Sequence, residues 1–220
     1  MNIKKFLSFI IPIKIHQKKS KINTTLEIAW NNGQLVLDSK NTNFSYGSLQ
    51  KVLRFGLLKI GFEKVKACKH IAVLGVAGGS VIKTLIDEVG YKGKITGVEL
   101  DDAAIDLANR YFGLNQIENL EIIIDDAESF VQQTVQKFDL VIIDIFQDNV
   151  MPGFLFEETF VENIVKCLTE KGIVLFNTIV TTNSDQIRNA NYGRLIEPKS
   201  KTVKKFSNIE GDNELFVWEK

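Results

Sequence analysis

Residues 70–80, HIAVLGVAGGS, constrain the fold more than any other stretch of the chain. A short apolar run from Ile71 to Leu74 breaks into Gly75, Gly78 and Gly79, and a helical pattern follows over 81–89. Glycine permits a tight turn and lets the backbone come close to a ligand. The helix that follows offers free N–H groups and a partial positive charge at its start. Strand, glycine turn and helix in that order mark a nucleotide-binding crossover unit. Any tight strand-to-helix turn can call for glycine, so the run takes its meaning from the chain around it.

The chain keeps up the alternation. Strands are expected over 71–75, 94–99, 120–124, 138–144 and 172–178, and helices over 81–89, 103–112, 127–136, 157–168 and 184–191. The strands IAVLG, EIII and LVIID are apolar on both faces, as in a parallel sheet covered on both sides. Repeated strand–helix units imply right-handed crossovers with helices on each face. At the end, 201–209 and 214–219 flank Gly211-Asp212-Asn213 and predict an antiparallel hairpin closing the sheet edge. The expected class is α/β, a Rossmann-like fold around a seven-stranded, mostly parallel sheet.

Residues 1–47 look β-rich and separate. The runs 26–30 and 34–38 flank Asn31-Asn32-Gly33, a good hairpin turn because Asn and Gly tolerate positive φ. Residues 48–60 put Leu49, Val52, Leu53 and Leu57 on one helical face, with Gly61 as the stop. The expected organisation is an N-terminal β-rich segment, 1–47, then a nucleotide-binding domain, 48–220, entered by the linking helix 48–60. Near the start, Lys4 and Lys5 precede FLSFIIPI. That apolar run is short for a signal peptide, contains Pro12 and lacks a small-residue cleavage site. A first strand or a docking segment is expected there.

The 220 residues carry no net charge and have a pI near 6.8, which argues against nucleic acid as the main partner. Two cysteines outside any C-x-x-C pair, and two histidines, make neither a zinc site nor a disulfide framework. A cytoplasmic protein without a metal is the expectation. No apolar stretch reaches the length of a membrane span, so no membrane partner is expected either.

Ligands of an open parallel sheet sit beyond the carboxyl ends of its strands. Acids fall at those places. Glu99 ends the second strand, twenty residues after Gly79, a spacing that suits a carboxylate accepting from two ribose hydroxyls. Asp101 and Asp102 are better placed to cap the next helix. Asp125 and Asp126 follow the third strand; one can accept from an adenine amine while the other caps, and Asp126 is favoured for the base. Asp144 ends the fourth strand and Asp148 follows in a loop with Pro152 and Gly153. Together they can hold and deprotonate an amine or position another nucleophile.

With these residues in view, VLGVAGGS, ITGVELDDAAIDLANRYF, IIIDDAESF, FDLVIIDIF and CLTEKGIVLFN resemble, in order and spacing, the spermidine-synthase-like proteins. These belong to the class I S-adenosylmethionine-dependent methyltransferase fold. The resemblance covers roughly residues 45–180. It implies that Gly75, Ala77, Gly78 and Gly79 approach the methionine-derived end of S-adenosylmethionine or its decarboxylated form. It also implies that Glu99 binds the ribose, that Leu100 lies along the adenine, and that Asp126 with Ala127 contacts the base. Asp144 would face the transferred group, Tyr46 would help hold the acceptor, and the N-terminal β segment could pair across a homodimer.

Two departures bear on the reaction. Aminopropyltransferases resemble one another in a G-G-G-D-G-G loop, but here Gly78 stands where the aspartate would be. That acid would attract the ammonium of the decarboxylated nucleotide and repel the carboxylate of the ordinary one. Like charges within about 4 Å cost on the order of 1–4 kcal/mol. The acceptor loop D-S-S-D-P is replaced by Asp144-Ile145-Phe146-Gln147-Asp148-Asn149, greasier than a polyamine would want. Many methyltransferases, in turn, carry an acid where Val73 stands. The favoured expectation is a methyltransferase-like enzyme acting on a small acceptor. The alternatives are aminopropyl transfer to a diamine and a non-catalytic nucleotide-binding relative. Acids converging on one crevice suit a sulfonium nucleoside better than a pyrophosphate. The segment 151–160, with Phe154, Phe156 and Phe160, is read as core or as a lid over an apolar acceptor.

Overall fold

The computed structural model describes residues 3–39, 43–147 and 150–220, with the backbone alone for 43, 44, 48 and 49. A short helix, α1 (Ile3–Leu7), leads into an antiparallel sheet of β1 (Ile13–Lys19), β2 (Thr25–Asn31), β3 (Gln34–Ser39) and β4 (Asn43–Ser45). The β2–β3 turn has φ of 47° at Asn32 and 77° at Gly33. Both values are positive, as a two-residue hairpin turn of this twist requires. Helix α2 (Gly47–Ile60) follows and ends at Gly61, with α3 (Phe62–Lys66) behind it. Val52, Leu53 and Leu57 of α2 are buried as the pattern predicts; the side chain of Leu49 lies outside the described set.

The second sheet has seven strands: β5 (His70–Leu74), β6 (Lys94–Glu99), β7 (Leu120–Ile124), β8 (Phe138–Ile143), β9 (Leu168–Ile179), β10 (Thr202–Ile209) and β11 (Asn213–Glu219). Their order is β10-β11-β9-β8-β5-β6-β7. The five strands from β9 to β7 pair in parallel, β11 adds antiparallel to β9, and β10 adds antiparallel to β11. This is the Rossmann-like sheet the sequence implies. Helices α4 (Ser80–Lys83), α5 (Asp102–Phe112), α6 (Ala127–Gln133), α7 (Glu158–Cys167) and α8 (Asn183–Ile196) complete the element order. Ile71 and Val73 face one core with α2 and α5, and Ala72 and Leu74 face the other with α6, α7 and α8. Burial on both faces is why these strands read as unbroken apolar runs.

Several boundaries differ from the sequence expectation, β9 among them by starting at Leu168 rather than 172, and three of the helical differences have a local reason. The expected helix over 81–89 is α only to Lys83 and then widens into a π-helix, Thr84–Val89. There Gly90, in the left-handed region, donates its N–H to the Leu85 carbonyl. The helix expected to reach 136 stops at Gln133, where the Thr134 hydroxyl accepts from Gln136 N–H and offers the backbone another partner. Helix α8 runs past 191 because Tyr192 and Ile196 are buried, and its buried Asn189 leaves the apolar pattern thin.

The small sheet sits on α5. Leu26, Ile28 and Leu37 pack against Ala103, Ala104 and Leu107. The β1–β2 turn reaches further: Ser20 Oγ and Asn23 Nδ2 both donate to Asp101 Oδ2, whose other oxygen caps α5 at Ala103 N–H. This contact ties the N-terminal segment to the loop that carries Glu99.

Candidate functional site

The carboxyl ends of the parallel strands β5, β6, β7 and β8 lie side by side, where an open parallel sheet has its ligand crevice. The loop after β5 lies at the centre of this end. Gly75 has φ of +86°, and a Cβ placed there would stand 2.1 Å from the carbonyl oxygen of Asp144. Only glycine lets the β5 and β8 exits come this close. The next residues turn their N–H groups onto one acid. Val76 and Ala77 donate to Glu99 Oε2 at 3.0 and 2.9 Å, and Asp101 donates to Oε1 at 2.9 Å. Burial nonetheless holds the Glu99 carboxyl above its ordinary range, because it outweighs these three donors. A carboxylate has about four acceptor positions. Binding both hydroxyls of a ribose therefore requires a backbone donor to give way.

Beside Glu99, Leu100 and Ile124 are exposed apolar side chains. They extend from the ends of adjacent strands, where Glu99 and Ile124 are register partners. A flat, apolar-faced base would cover them. Ile124 is absent from the sequence expectation because it reads as one more strand residue. Ala127 is buried at the start of α6. Asp126 caps that helix, its Oδ2 accepting from Ser129 N–H at 2.9 Å. Capping thus falls to the acid favoured for the base and takes one of its roughly four acceptor positions. Asp125 accepts from Asp126 N–H and lies at the surface.

Asp144 stands across the crevice. Burial raises its carboxyl to about 6; a hydrogen bond from Asn177 pulls the other way, and the nearby Glu99 charge adds to the rise. Among the described residues no cation acts on either carboxyl. Asn177 donates from Nδ2 to Asp144 Oδ1 at 2.9 Å, is fully buried, and leaves its own Oδ1 without a partner among the described residues. The sequence signal for it was available: a lone amide ending the apolar run GIVLFN. Asp148 lies outside the described residues.

Tyr46 does not simply face the crevice. Its φ is +71°, its ring stacks on Phe112 with centroids 4.3 Å apart, and its buried hydroxyl finds no partner among the described residues. Burial raises its hydroxyl pKa, and the acid that adds to the rise is Asp87 on the π-helix. Gly78 sits beneath the same junction. A Cβ there would lie 2.8 Å from Ser45 Cβ, 2.9 Å from Ser45 Oγ and 3.3 Å from the Tyr46 ring. Ser45 Oγ also accepts from Ser80 N–H at 3.3 Å. Ser45 is a contact no local pattern announces. In the segment 151–160, Met151, Leu155 and Phe160 are buried in the core, Phe154 packs edge-on to Phe160 and Phe156 against Phe176 and Tyr192, while 153 and 157–159 are exposed. Among the described residues no three His, Cys, Asp or Glu side chains converge as a metal site.

The spermine/spermidine synthase domain matches residues 56–192, more than half of the chain. The chain belongs to that family. Within it, the chain is 28% identical over 130 residues to a polyamine aminopropyltransferase of Ruegeria sp., covering 56% of this chain and 45% of the relative. A polyamine aminopropyltransferase of Serratia proteamaculans is 30% identical over 129 residues, covering 56% and 44%. The match spans less than half the length of these relatives. Among solved structures, spermidine synthase of Thermotoga maritima superposes with a TM-score of 0.74 at 17% identity, covering 94% of this chain and 73% of that one. Human methyltransferase-like protein 13, in complex with S-adenosylhomocysteine, gives 0.66 at 20% identity, covering 79% and 82%. At such identities these likenesses show the shared fold.

Proposed function

We propose that this family member binds an adenosyl-sulfonium nucleotide in the crevice and transfers a group from it to a small acceptor, with ordinary S-adenosylmethionine as the favoured donor. The chemistry of the lining supports the nucleotide. Glu99 and Asp144 carry raised pKa values with no cation among the described residues offsetting them, and exposed Leu100 and Ile124 lie alongside. A positive sulfonium relieves that unpaired charge; a pyrophosphate aggravates it.

The observation that carries the choice of donor is Gly78. No acid stands there to repel a carboxylate, and Ser45 and Tyr46 already fill the space a side chain would take. In this reading Glu99 holds the ribose, Asp126 Oδ1 meets the adenine amine, and the backbone after Gly75 approaches the amino-acid end. A bound sulfonium supplies an already activated carbon. The remaining task of the chain is to place the acceptor in line with it, which can supply much of the rate. Asp144, steadied by Asn177, accepts the proton an acceptor must lose.

Asp144 also favours a second reading. An acid poised near 6 suits the base that aminopropyl transfer needs to keep an amine neutral, and relatives of this chain are named polyamine aminopropyltransferases. Product identity separates the two. The protein is incubated with S-adenosylmethionine, or with its decarboxylated form, and a panel of small amines and acids. Accumulation of S-adenosylhomocysteine is the expected result. Methylthioadenosine formed only from the decarboxylated donor with a diamine would reverse the preference.

A further inference from the structure

The N-terminal segment displays an apolar surface that the crevice does not use. Ile3, Phe6, Leu7, Phe9, Ile10 and Ile11 are all exposed, Ile10 at 78%, Ile3 at 71% and Phe6 at 64%. The segment is nevertheless fixed in place. Ser8 accepts from Asn32 N–H through its carbonyl and from Gly33 N–H through Oγ, both at 3.0 Å. The Phe9 ring lies against Gly33, where an added Cβ would stand 2.4 Å from Cζ. The β2–β3 turn thus holds α1 by its backbone and leaves the apolar side chains outward. So dense an apolar patch on a protein surface marks a docking site.

Its setting is basic. Residues 1–26 contain six lysines and neither Asp nor Glu, in a chain of zero net charge. Lys4 and Lys5 stand among the apolar side chains, and Lys5 Nζ lies 5.6 Å from the centre of the Trp30 ring. Lys14 and Lys18 extend the positive edge along β1, while pairing with Glu27 and Asp106. Lys19 and Lys21 are exposed.

We propose that this surface docks the protein on an anionic lipid membrane. Phe6, Ile10 and their neighbours enter the boundary between headgroups and acyl chains, and the lysines face the lipid phosphates. Apolar insertion combined with basic charge is how peripheral proteins gain lasting membrane contact. No helix among the described residues is long and apolar enough to cross a membrane, so the contact is peripheral. The sequence expectation of no membrane partner rested on the lack of a spanning stretch, which does not bear on a surface dock. A second copy fits less well, because a two-fold contact would set this lysine-rich, acid-free segment against itself.

Flotation with lipid vesicles tests this. The full chain is expected to float with equimolar phosphatidylcholine and phosphatidylserine, to float far less with phosphatidylcholine alone, and to be released by salt. Phe6→Ser with Ile10→Ser, and separately Lys4→Glu with Lys5→Glu, are expected to reduce binding at least tenfold without changing the melting temperature. Failure of the wild type to bind either vesicle overturns the proposal, as does binding that both variants retain. A wild-type dimer in sedimentation that Phe6→Ser with Ile10→Ser converts to monomer, with no vesicle binding, assigns the surface to a second copy and also overturns it.

Discussion

Gly75→Ala is expected to destabilise the protein by about 3 kcal/mol or more. A methyl group there meets the Asp144 carbonyl oxygen at 2.1 Å, and that oxygen is backbone. It cannot rotate aside. The Asp144 N–H is already bonded to Leu74 O at 2.9 Å, so moving the β8 exit breaks a bond between the two central strands. To this overpacking, typically 1–3 kcal/mol, is added the left-handed φ of +86°, about 1–2 kcal/mol for any residue with a Cβ. For a chain of this length, each kcal/mol shifts the melting temperature by roughly 2–4 °C. A fall of about 6–12 °C is therefore expected, along with loss of nucleotide binding. Gly153→Ala is the control, because nothing lies within 4 Å of a Cβ there and its φ is not positive. It should melt with the wild type. Should Gly75→Ala do the same, the close approach of β5 and β8 is wrong.

The second large effect is at Asp144, where stability and activity are expected to move in opposite directions. Its carboxyl is raised from 3.8 to about 6 in the folded protein. Between those values the folded chain keeps a proton that the unfolded chain releases, so this group's contribution to stability falls as pH rises through the window. Above about 6 the penalty is constant, on the order of 3 kcal/mol. Asp144→Asn removes the ionisable group and can still accept from Asn177 Nδ2. It is expected to melt several degrees higher than wild type at pH 8 and to match it near pH 4. Turnover is expected to fall about 100-fold or more if the acceptor must lose a proton. Melting curves across this pH range and a turnover assay check both halves. A stability difference that ignores pH would show that Asp144 is not the strained acid described. Turnover within tenfold of wild type would remove it as the base.

The large features of this fold are visible in the sequence because they are local. Strands buried on both faces are bound to read as apolar runs, and the alternation with helices then dictates a parallel sheet. Gly75 and Glu99 were legible because a turn and a strand end leave short-range marks. The Ser45–Gly78 contact joins residues far apart in sequence and leaves no periodic trace. Gly78 read as a missing acid; the structure adds that a side chain there would collide with the N-terminal segment. Asn177 stands in the sequence as a lone amide after an apolar run, but only the third dimension shows it beside Asp144. The π-helix at Thr84–Val89 uses the same apolar spacing as an α-helix. Asp126 shows a further limit: capping and base contact call for the same residue type at nearly the same position.

The central claim is that the crevice binds the adenosyl-sulfonium nucleotide with Glu99 on its ribose. Calorimetric titration of S-adenosylmethionine into the wild type and into Glu99→Ala tests it most directly. Saturable one-to-one binding is expected in the wild type. Losing the charge-assisted hydrogen bonds of Glu99, worth about 1.5–3 kcal/mol, should weaken it roughly 10- to 100-fold. No saturable binding in the wild type, or an affinity of Glu99→Ala within about twofold of it, far below that expected loss, would contradict the claim.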